Sequence, residues 1–562
     1  MFSCNNYDII IIGGGISGLF IAYKLINTNL DILLIESSSN LGGRIYSENK
    51  NSVSFECGAA RFHDTHTKVL TLIHDLNLED KIISLPSEIK HILRGYKTDY
   101  NYKTKDKLNL SKLLKEAYQK RETFETKFLQ NMTFFQYLTN IFNHETATFI
   151  QHAFGYDSEF IYLNADAALK MFKDDFFKKG SYHILNGGLS QIIKKLEQNI
   201  NQCNHITILK NNTVKEVYKN NIVTDKDTYY FTNLICAIPQ KALQQFTYFK
   251  ENTSLNAVRP IPLLRIYAKY PTKDLWFKGL KRITTDNHIR HIIPLSEKDG
   301  LIMISYTDGE YAEMWNKAHS NGDDFLIQLL NKEIKDLLGL EPSKPEFISI
   351  HFWNEGVHMW RTGYNMDESY QKVLKPFEHQ DIFICGEAYS KKQGWIEGAL
   401  NTCYDVIQSL PLLDSRGLSI QTDIDKEDIF VDTDDIIKKE YTIQEVLKEP
   451  EWIVKEGEKF YVSIGFNPLP ASFYEKSSMY PLPADATYKK NNHASAWHMD
   501  LENDLRCLMS VEANADYYET IHHELGHIYY YQAYTNPNVP PLLRGGANRG
   551  YHEAIGSLLG LA

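Results

Sequence analysis

The chain has 562 residues, 43% of them hydrophobic and 23% charged, with a net charge of −11. That balance excludes a disordered or collagen-like class, and the acidic surplus argues against a nucleic-acid or anionic-membrane surface, both of which need clustered Lys and Arg. At about 150 residues per domain the length allows roughly three to four domains. The seven cysteines (Cys4, Cys57, Cys203, Cys236, Cys385, Cys403 and Cys507) are scattered, odd in number and free of Cys-x-x-Cys spacing. A reducing, cytoplasmic compartment is the simplest expectation.

The apolar run from Ile9 to Tyr23 is preceded by Asp8, lacks a basic flank and is broken by Gly13, Gly14 and Gly15. It therefore reads as strand, turn and helix rather than as a signal peptide. No other stretch approaches the roughly 20 apolar residues of a membrane span. Tyr7 to Ile12 is a β-branched run suited to a parallel strand covered on both faces, and Leu19 to Leu25 continues as an apolar helix. Between them lies Gly13-x-Gly15-x-x-Gly18, a dinucleotide-binding turn in which Gly13 makes the bend, Gly15 admits a pyrophosphate and Gly18 lets helix meet strand. Ser17 lies in the same turn and joins the expected cofactor set. The second strand, Asp31 to Ile35, ends at Glu36, placed to accept from a ribose.

Further along come Leu41-Gly42-Gly43-Arg44, Phe55 to Phe62, Gly187-Gly188-Leu189, Val214, Leu234 to Pro239, Ile384-Cys385-Gly386-Glu387 and Gly394 to Ala399. In this order the motifs resemble the flavin-containing amine oxidases, which include monoamine, polyamine and L-amino-acid oxidases, through residue 411. The resemblance implies an α/β fold. A Rossmann-like FAD-binding domain is expected from segments of about 1–70, 187–250 and 375–411, with an inserted α+β substrate domain of about 71–186 and 251–374. It also implies roles: Glu36 on the adenosine ribose, Gly43 and Arg44 at the pyrophosphate, Val214 at the adenine end, Gly386 and Glu387 at the ribityl chain, and a helix through Ile396 and Ala399 aimed at the flavin ring.

Glu355 stands where the monoamine oxidases carry their flavin-bonding cysteine, so FAD is expected to be noncovalent. Gly356 replaces a cage tyrosine, leaving Trp395 as the remaining aromatic of the usual pair. Arg265 stands in place of a lysine that holds a water near the flavin; arginine does not deprotonate, so water-holding is the most it inherits. Arg61 matches the arginine that clamps a substrate carboxylate in L-amino-acid oxidases, the alternative being a partner for FAD phosphate or Glu56. The implied reaction moves a hydride from an amine-bearing carbon to flavin, with O2 as the final acceptor and peroxide as product. The small-molecule substrate is a plain amine or, as alternative, an amino acid; a noncatalytic flavin-fold scaffold is the third possibility. Nothing in the sequence specifies an oligomeric state.

Residues 412–457 read as an acidic linker, with Asp414 to Glu440 rich in Asp, Glu and Lys. From 458 to 562, the stretches Lys459 to Phe466, His493 to Trp497, His522 to His527 and Gly546 to Glu553 resemble a truncated, mostly helical piece of an angiotensin-converting-enzyme-type zinc dipeptidyl carboxypeptidase. His523 and His527 lie one helical turn apart, Glu524 is placed to polarise a metal-bound water, and Glu553 completes a His₂Glu zinc set. Ser557 replaces a supporting Asp of that family, and its downstream helices are missing. The expectation is a segment that holds zinc without cleaving peptides and exposes apolar faces. A bifunctional oxidase and peptidase is the alternative.

Overall fold

The computed structural model describes residues 5–86, 89–93, 109–176, 180–411, 450–463, 466–482, 486, 490, 494–500, 504–511 and 515–535. The residues divide into two compact units, Met1–Asp428 and Ile429–Ala562. Glu553, Ser557, His493, the stretch 546–552 and the linker residues 412–449 lie outside the described residues.

In the first unit, β1 (Asn6–Ile12) runs through a seven-stranded sheet, parallel to both its neighbours, β2 (Ile32–Ile35) and the strand Thr228–Cys236. The parallel set extends through Ile206–Leu209 beside β2 and Ile382–Ile384 beside Thr228–Cys236, and an antiparallel ribbon, Asn221–Thr224 and Val214–Val217, closes one edge. Ile9, Ile10 and Ile11 are fully buried, so both faces of the strand are covered, and the β-branched run has no polar alternation for that reason. Helix α1 (Ile16–Lys24) packs against the helices Ile396–Gln408 and Ser190–Ile200.

A second, six-stranded sheet has the order Phe347–Trp360, Val258–Lys269, Leu301–Asp308, His291–Ser296, Arg282–Thr285, Ile89–Ile92. The helix Asp323–Leu338 buries Leu326, Leu330, Ile334 and Leu337, a helical-period stripe, and ends at Gly339 in the left-handed region (φ 72°). The helices Leu110–Lys120, Phe134–Ile141, His144–Phe154 and Ala165–Phe176 fill most of the described part of residues 71–186. That region also holds strands: Ile82–Ser84 and Tyr182–Leu185 belong to a three-stranded sheet with Phe62–His63, and Ile89–Ile92 joins the six-stranded one. Three or four residues are too short for a period of two to register against the surrounding helical pattern.

In the second unit, the helices Pro450–Ser463 and Ala515–Tyr534 pack together, and the ribbon Ser495–His498 with Leu505–Leu508 adds strands to a segment expected to be mostly helical. Ile453, Val454, Tyr461, Phe473, Ile521, Leu525, Ile528 and Tyr529 form a buried core. Tyr461 and Tyr529 stack at 4.4 Å, and a Cβ on Gly457 would come within 2.7 Å of Ile521. The described part of this segment thus buries apolar surface within itself, while Trp497 and Met499 stay exposed.

Candidate functional site

The glycine turn is built by contacts that admit no side chain at two positions and leave a third open. Gly13 has φ 108°, and a Cβ on Gly18 would lie 2.0 Å from the Gly13 carbonyl oxygen, so Gly18 carries the close passage of α1 over β1. A Cβ on Gly15, by contrast, meets nothing within 4 Å. Gly15 caps α1 with no side-chain hydrogen bond, so open space lies where the helix N-terminus presents its unpaired N–H groups to an anion. Gly42 donates its N–H to the Gly14 carbonyl at 2.8 Å, and the position of a Cβ on Gly43 is 3.4 Å from Gly15 Cα. Gly43 therefore lies against the turn. Gly386 (φ 125°) faces Ser17, its Cβ position 3.8 Å from Ser17 Oγ.

Glu36 accepts from the N–H of Gly14 and the N–H of Ser38, both at 2.8 Å, which holds its carboxylate over the turn. The Asn212 N–H donates to the Glu36 carbonyl at 3.1 Å, bringing the chain just before Val214 alongside. Val214 itself opens the edge strand opposite Thr224.

Arg44 Nη1 donates to Glu387 Oε2 at 2.7 Å and to the Gly356 carbonyl at 3.1 Å. His358 places Nδ1 3.0 Å from the same Oε2, and Glu387 Oε1 accepts from the N–H groups of His358 and Gly394. Burial alone would raise the Glu387 carboxyl, but Arg44 and His358 outweigh it and hold the group well below the usual carboxylate range. Four hydrogen bonds use the acceptor capacity of this carboxylate. His358, fully buried, was not singled out in the sequence; its signal was a histidine at the apolar end of Phe347–Trp360, three residues after Glu355. Glu355 faces His358 Nε2 at 3.5 Å, an ion-pair contact too long for a good hydrogen bond.

On the substrate side, Arg61 lies over aromatic faces, its Cζ 4.7 Å from the Tyr182 ring centroid and 5.8 Å from that of Trp395. Tyr182 and Trp395 are near parallel, 18° apart with centroids at 5.9 Å. Trp395 therefore has an aromatic companion that the sequence reading missed, delivered by the pairing of Phe62–His63 with Tyr182–Leu185. No local motif marks Tyr182. His66 meets Trp395 edge-on at 4.8 Å, and burial, then Lys392, push its imidazole down to about 3, so it is neutral. Glu56, the alternative partner for Arg61, accepts instead from Ser47 Oγ and the Leu189 N–H.

Arg265 is buried, donates from Nη1 to the Glu56 carbonyl at 2.9 Å and lies 4.4 Å over the Tyr306 ring. Ile396 and Ala399 are buried in the first turn of Ile396–Gln408, whose N-cap is Trp395. The structure thus brings Gly13, Gly15, Ser17, Gly18, Glu36, Gly43 and Gly386 around one turn, Arg44 with Glu387, and Arg61 with Trp395.

In the second unit, the helix Ala515–Tyr534 carries His523, Glu524 and His527. The two histidine Nε2 atoms face each other at 3.1 Å, near the separation of about 3.3 Å for two imidazole nitrogens sharing one tetrahedral zinc. Glu524 is buried beside them in sequence.

Residues 422–562 match the angiotensin-converting enzyme model. That part is 39% identical over 113 residues to angiotensin-converting enzyme of Oryctolagus cuniculus and 36% identical over 134 residues to an angiotensin-converting enzyme-related protein of Drosophila melanogaster. The alignments span 8% and 19% of those proteins' own lengths. Two solved structures of putrescine oxidase with redesigned cofactor binding, a double and a triple mutant, superpose with TM-scores of 0.57 and 0.58 at 15% and 16% identity. Each covers 72% or 73% of this chain and 99% of its own, and at that identity the likeness is one of fold. Residues 16–406 match the model of flavin containing amine oxidoreductase, and the chain belongs to that family.

Proposed function

We propose that residues 1–411 form an FAD-dependent oxidase in which the substrate amine sits beside Trp395 and a substrate carboxylate lies on Arg61. The observation that carries this reading is the position of Arg61 over Tyr182 and Trp395 rather than on Glu56. It favours amino acids over plain amines, because a guanidinium fork beside the reacting carbon binds a carboxylate in two-point fashion. FAD bound along the glycine turn supplies the hydride acceptor. Overall, a CH–NH2 group becomes C=NH and O2 becomes H2O2, so atoms and electrons balance.

The chain's own share is placement and electrostatics. The open space at Gly15 and the α1 N-terminus fit a pyrophosphate. Glu36 fits a ribose, Val214 the adenine end, and Arg44 braced by Glu387 holds the strand Phe347–Trp360 at Gly356. Tyr182 and Trp395 wall off water from the amine. Arg265, through the Glu56 carbonyl, positions the loop that carries Arg61. With no bonding cysteine at Glu355, the flavin is noncovalent. Zinc held by His523, His527 and Glu553 is the corresponding proposal for the second segment, and the free state of the described cysteines fits a reducing compartment. No described helix is long and apolar enough to cross a membrane. The test is anaerobic mixing of the FAD-loaded protein with single L-amino acids and amines: bleaching of the visible flavin band by an amino acid supports the reading, and bleaching by amines alone overturns the carboxylate role of Arg61.

A further inference from the structure

Beside Arg61 lies a second arginine whose charge the described fold leaves uncompensated. The Tyr156 ring packs against two neighbouring strands of the six-stranded sheet, 4.5 Å from His291 and 5.1 Å from Tyr306. Tyr306 in turn covers Arg265. Arg282 lies two residues before Thr284 on its strand, and Thr284 pairs with His291 and contacts its ring, so Arg282 and His291 share one face of the sheet; Arg61 is the charge that Arg282 feels most. Buried here, Tyr156 Oη, Arg282 Nε and His291 Nε2 have no hydrogen-bond partner among the described residues. Buried polar groups are ordinarily hydrogen-bonded, and three unmet ones at one place point to a ligand.

A neighbouring arginine shows the contrast. Arg290 is fully buried and pairs with Asp157 at 3.1 Å, the usual way in which a buried guanidinium is neutralised. Neither Arg61 nor Arg282 has an acidic partner among the described residues. Burial and then the like charge of Arg61 push Arg282 down to about 10, a penalty that a bound anion would reverse. Burial, then Arg282 and Arg290, hold His291 neutral. His291 Nδ1 and Thr284 Oγ1 lie 3.2 Å apart; the tautomer in which Thr284 donates leaves Nε2–H as a donor toward an anion.

We infer that Arg282, Tyr156 Oη and His291 Nε2 form a second anion subsite, and that the preferred substrate is an amino acid with an acidic side chain, one carboxylate on Arg61 and the other on Arg282. As a statement about substrate this rests on the oxidase reading above. Two cations without an acidic partner among the described residues also repel diamines, giving selectivity by like charge.

The test uses FAD-loaded protein with L-glutamate and its near-isostere L-glutamine, and glutarate as a nonreacting ligand followed by calorimetry. Wild type should favour L-glutamate in kcat/KM by about 100-fold, the scale of one buried charge pair. Arg282→Gln should cut that preference below about tenfold, mainly through KM and with flavin content unchanged, and Arg282→Lys should retain part of it. If Arg282→Gln does not fold, glutarate against its monoamide glutaramate on the wild type decides, because one carboxylate remains for Arg61, and equal affinity overturns the subsite. Oxidation of L-glutamine as efficiently as L-glutamate overturns the subsite and leaves the oxidase reading standing. Glutarate binding that weakens in Arg282→Gln, with no amine or amino acid oxidised, supports the subsite and overturns the oxidase reading.

Discussion

Arg44 Nη1 and Glu387 Oε2 meet at 2.7 Å across 343 residues of sequence, joining the loop beside the glycine turn to the segment that leads into the helix Ile396–Gln408. Because Glu387 is 8% exposed, removing its cation leaves a buried charge short of compensation. Arg44→Met should therefore lower stability by about 3–5 kcal/mol at neutral pH, read as a drop in the urea midpoint. The sign with pH follows from the depressed carboxyl: its contribution is present above the unfolded value near 4.3 and is lost as pH falls through the folded value. Without Arg44 the folded value rises, so the acid transition should move toward neutral pH. An unchanged acid limb would show that Arg44 does not set the Glu387 charge.

Gly15 and Gly18 should separate cofactor binding from folding. Gly15→Val fills open space and should leave the fold and thermal transition of the apoprotein nearly unaltered while abolishing flavin uptake. Gly18→Ala drives a Cβ into the Gly13 carbonyl and should destabilise the apoprotein itself. Flavin content and apoprotein melting, measured side by side, distinguish the two. Acid precipitation of the wild type should release flavin into the supernatant, as a noncovalent cofactor requires.

The contrast between these glycines also shows what the sequence made legible. Gly13, Gly15, Gly18 and Glu36 were readable because turn, strand and helix follow one another in a few residues, each fixed by local backbone geometry. Tyr182, His358 and Arg282 were not. They reach the site through strand pairings between segments far apart in sequence, and an isolated Tyr, His or Arg carries no local period. The pairing of Arg44 with Glu387 was invisible for the same reason, although both residues were picked individually. The short strands Ile82–Ser84 and Ile89–Ile92 were lost in a region whose helices dominate the pattern.

Arg61→Ala should reduce kcat/KM for an amino acid by about 30- to 5,000-fold, equivalent to about 2–5 kcal/mol of charge-assisted binding, with flavin retained. A plain amine of similar shape should change by less than about threefold. Equal loss on both substrates, or loss of flavin, would assign Arg61 to the cofactor.

Glu159 provides a pH test unconnected with catalysis. Burial, then Asp308, pushes its carboxyl up to about 8, while the unfolded value is near 4.3. A raised folded value means that the folded state holds the proton where the unfolded state has lost it. Stability is then fully present below about pH 4 and falls between there and pH 8, by up to about 1.4 kcal/mol per unit. Glu159→Gln removes this titration. The urea midpoint of the variant should decline less than that of the wild type between pH 5 and 8, and parallel curves would show that Glu159 is ionised throughout.

The second unit predicts metal uptake that depends on two side chains one helical turn apart. His523 and His527 already hold their Nε2 atoms at 3.1 Å, so zinc binding needs little rearrangement of this helix, which is fastened from behind by Gly457 against Ile521 and Leu525 and by the Tyr461 hydroxyl on the His522 carbonyl. Metal analysis after dialysis should find one zinc per chain, reduced to background in His527→Ala. Glu524→Gln should keep the zinc, because Glu524 faces the metal-bound water rather than the metal in this motif, and should remove any release of dipeptides that the wild type shows. Gly457→Val would push the two helices apart and should lower zinc occupancy without touching a ligand, which ties the site to the packing that shapes it. Full zinc occupancy in His527→Ala would place the metal elsewhere on the chain.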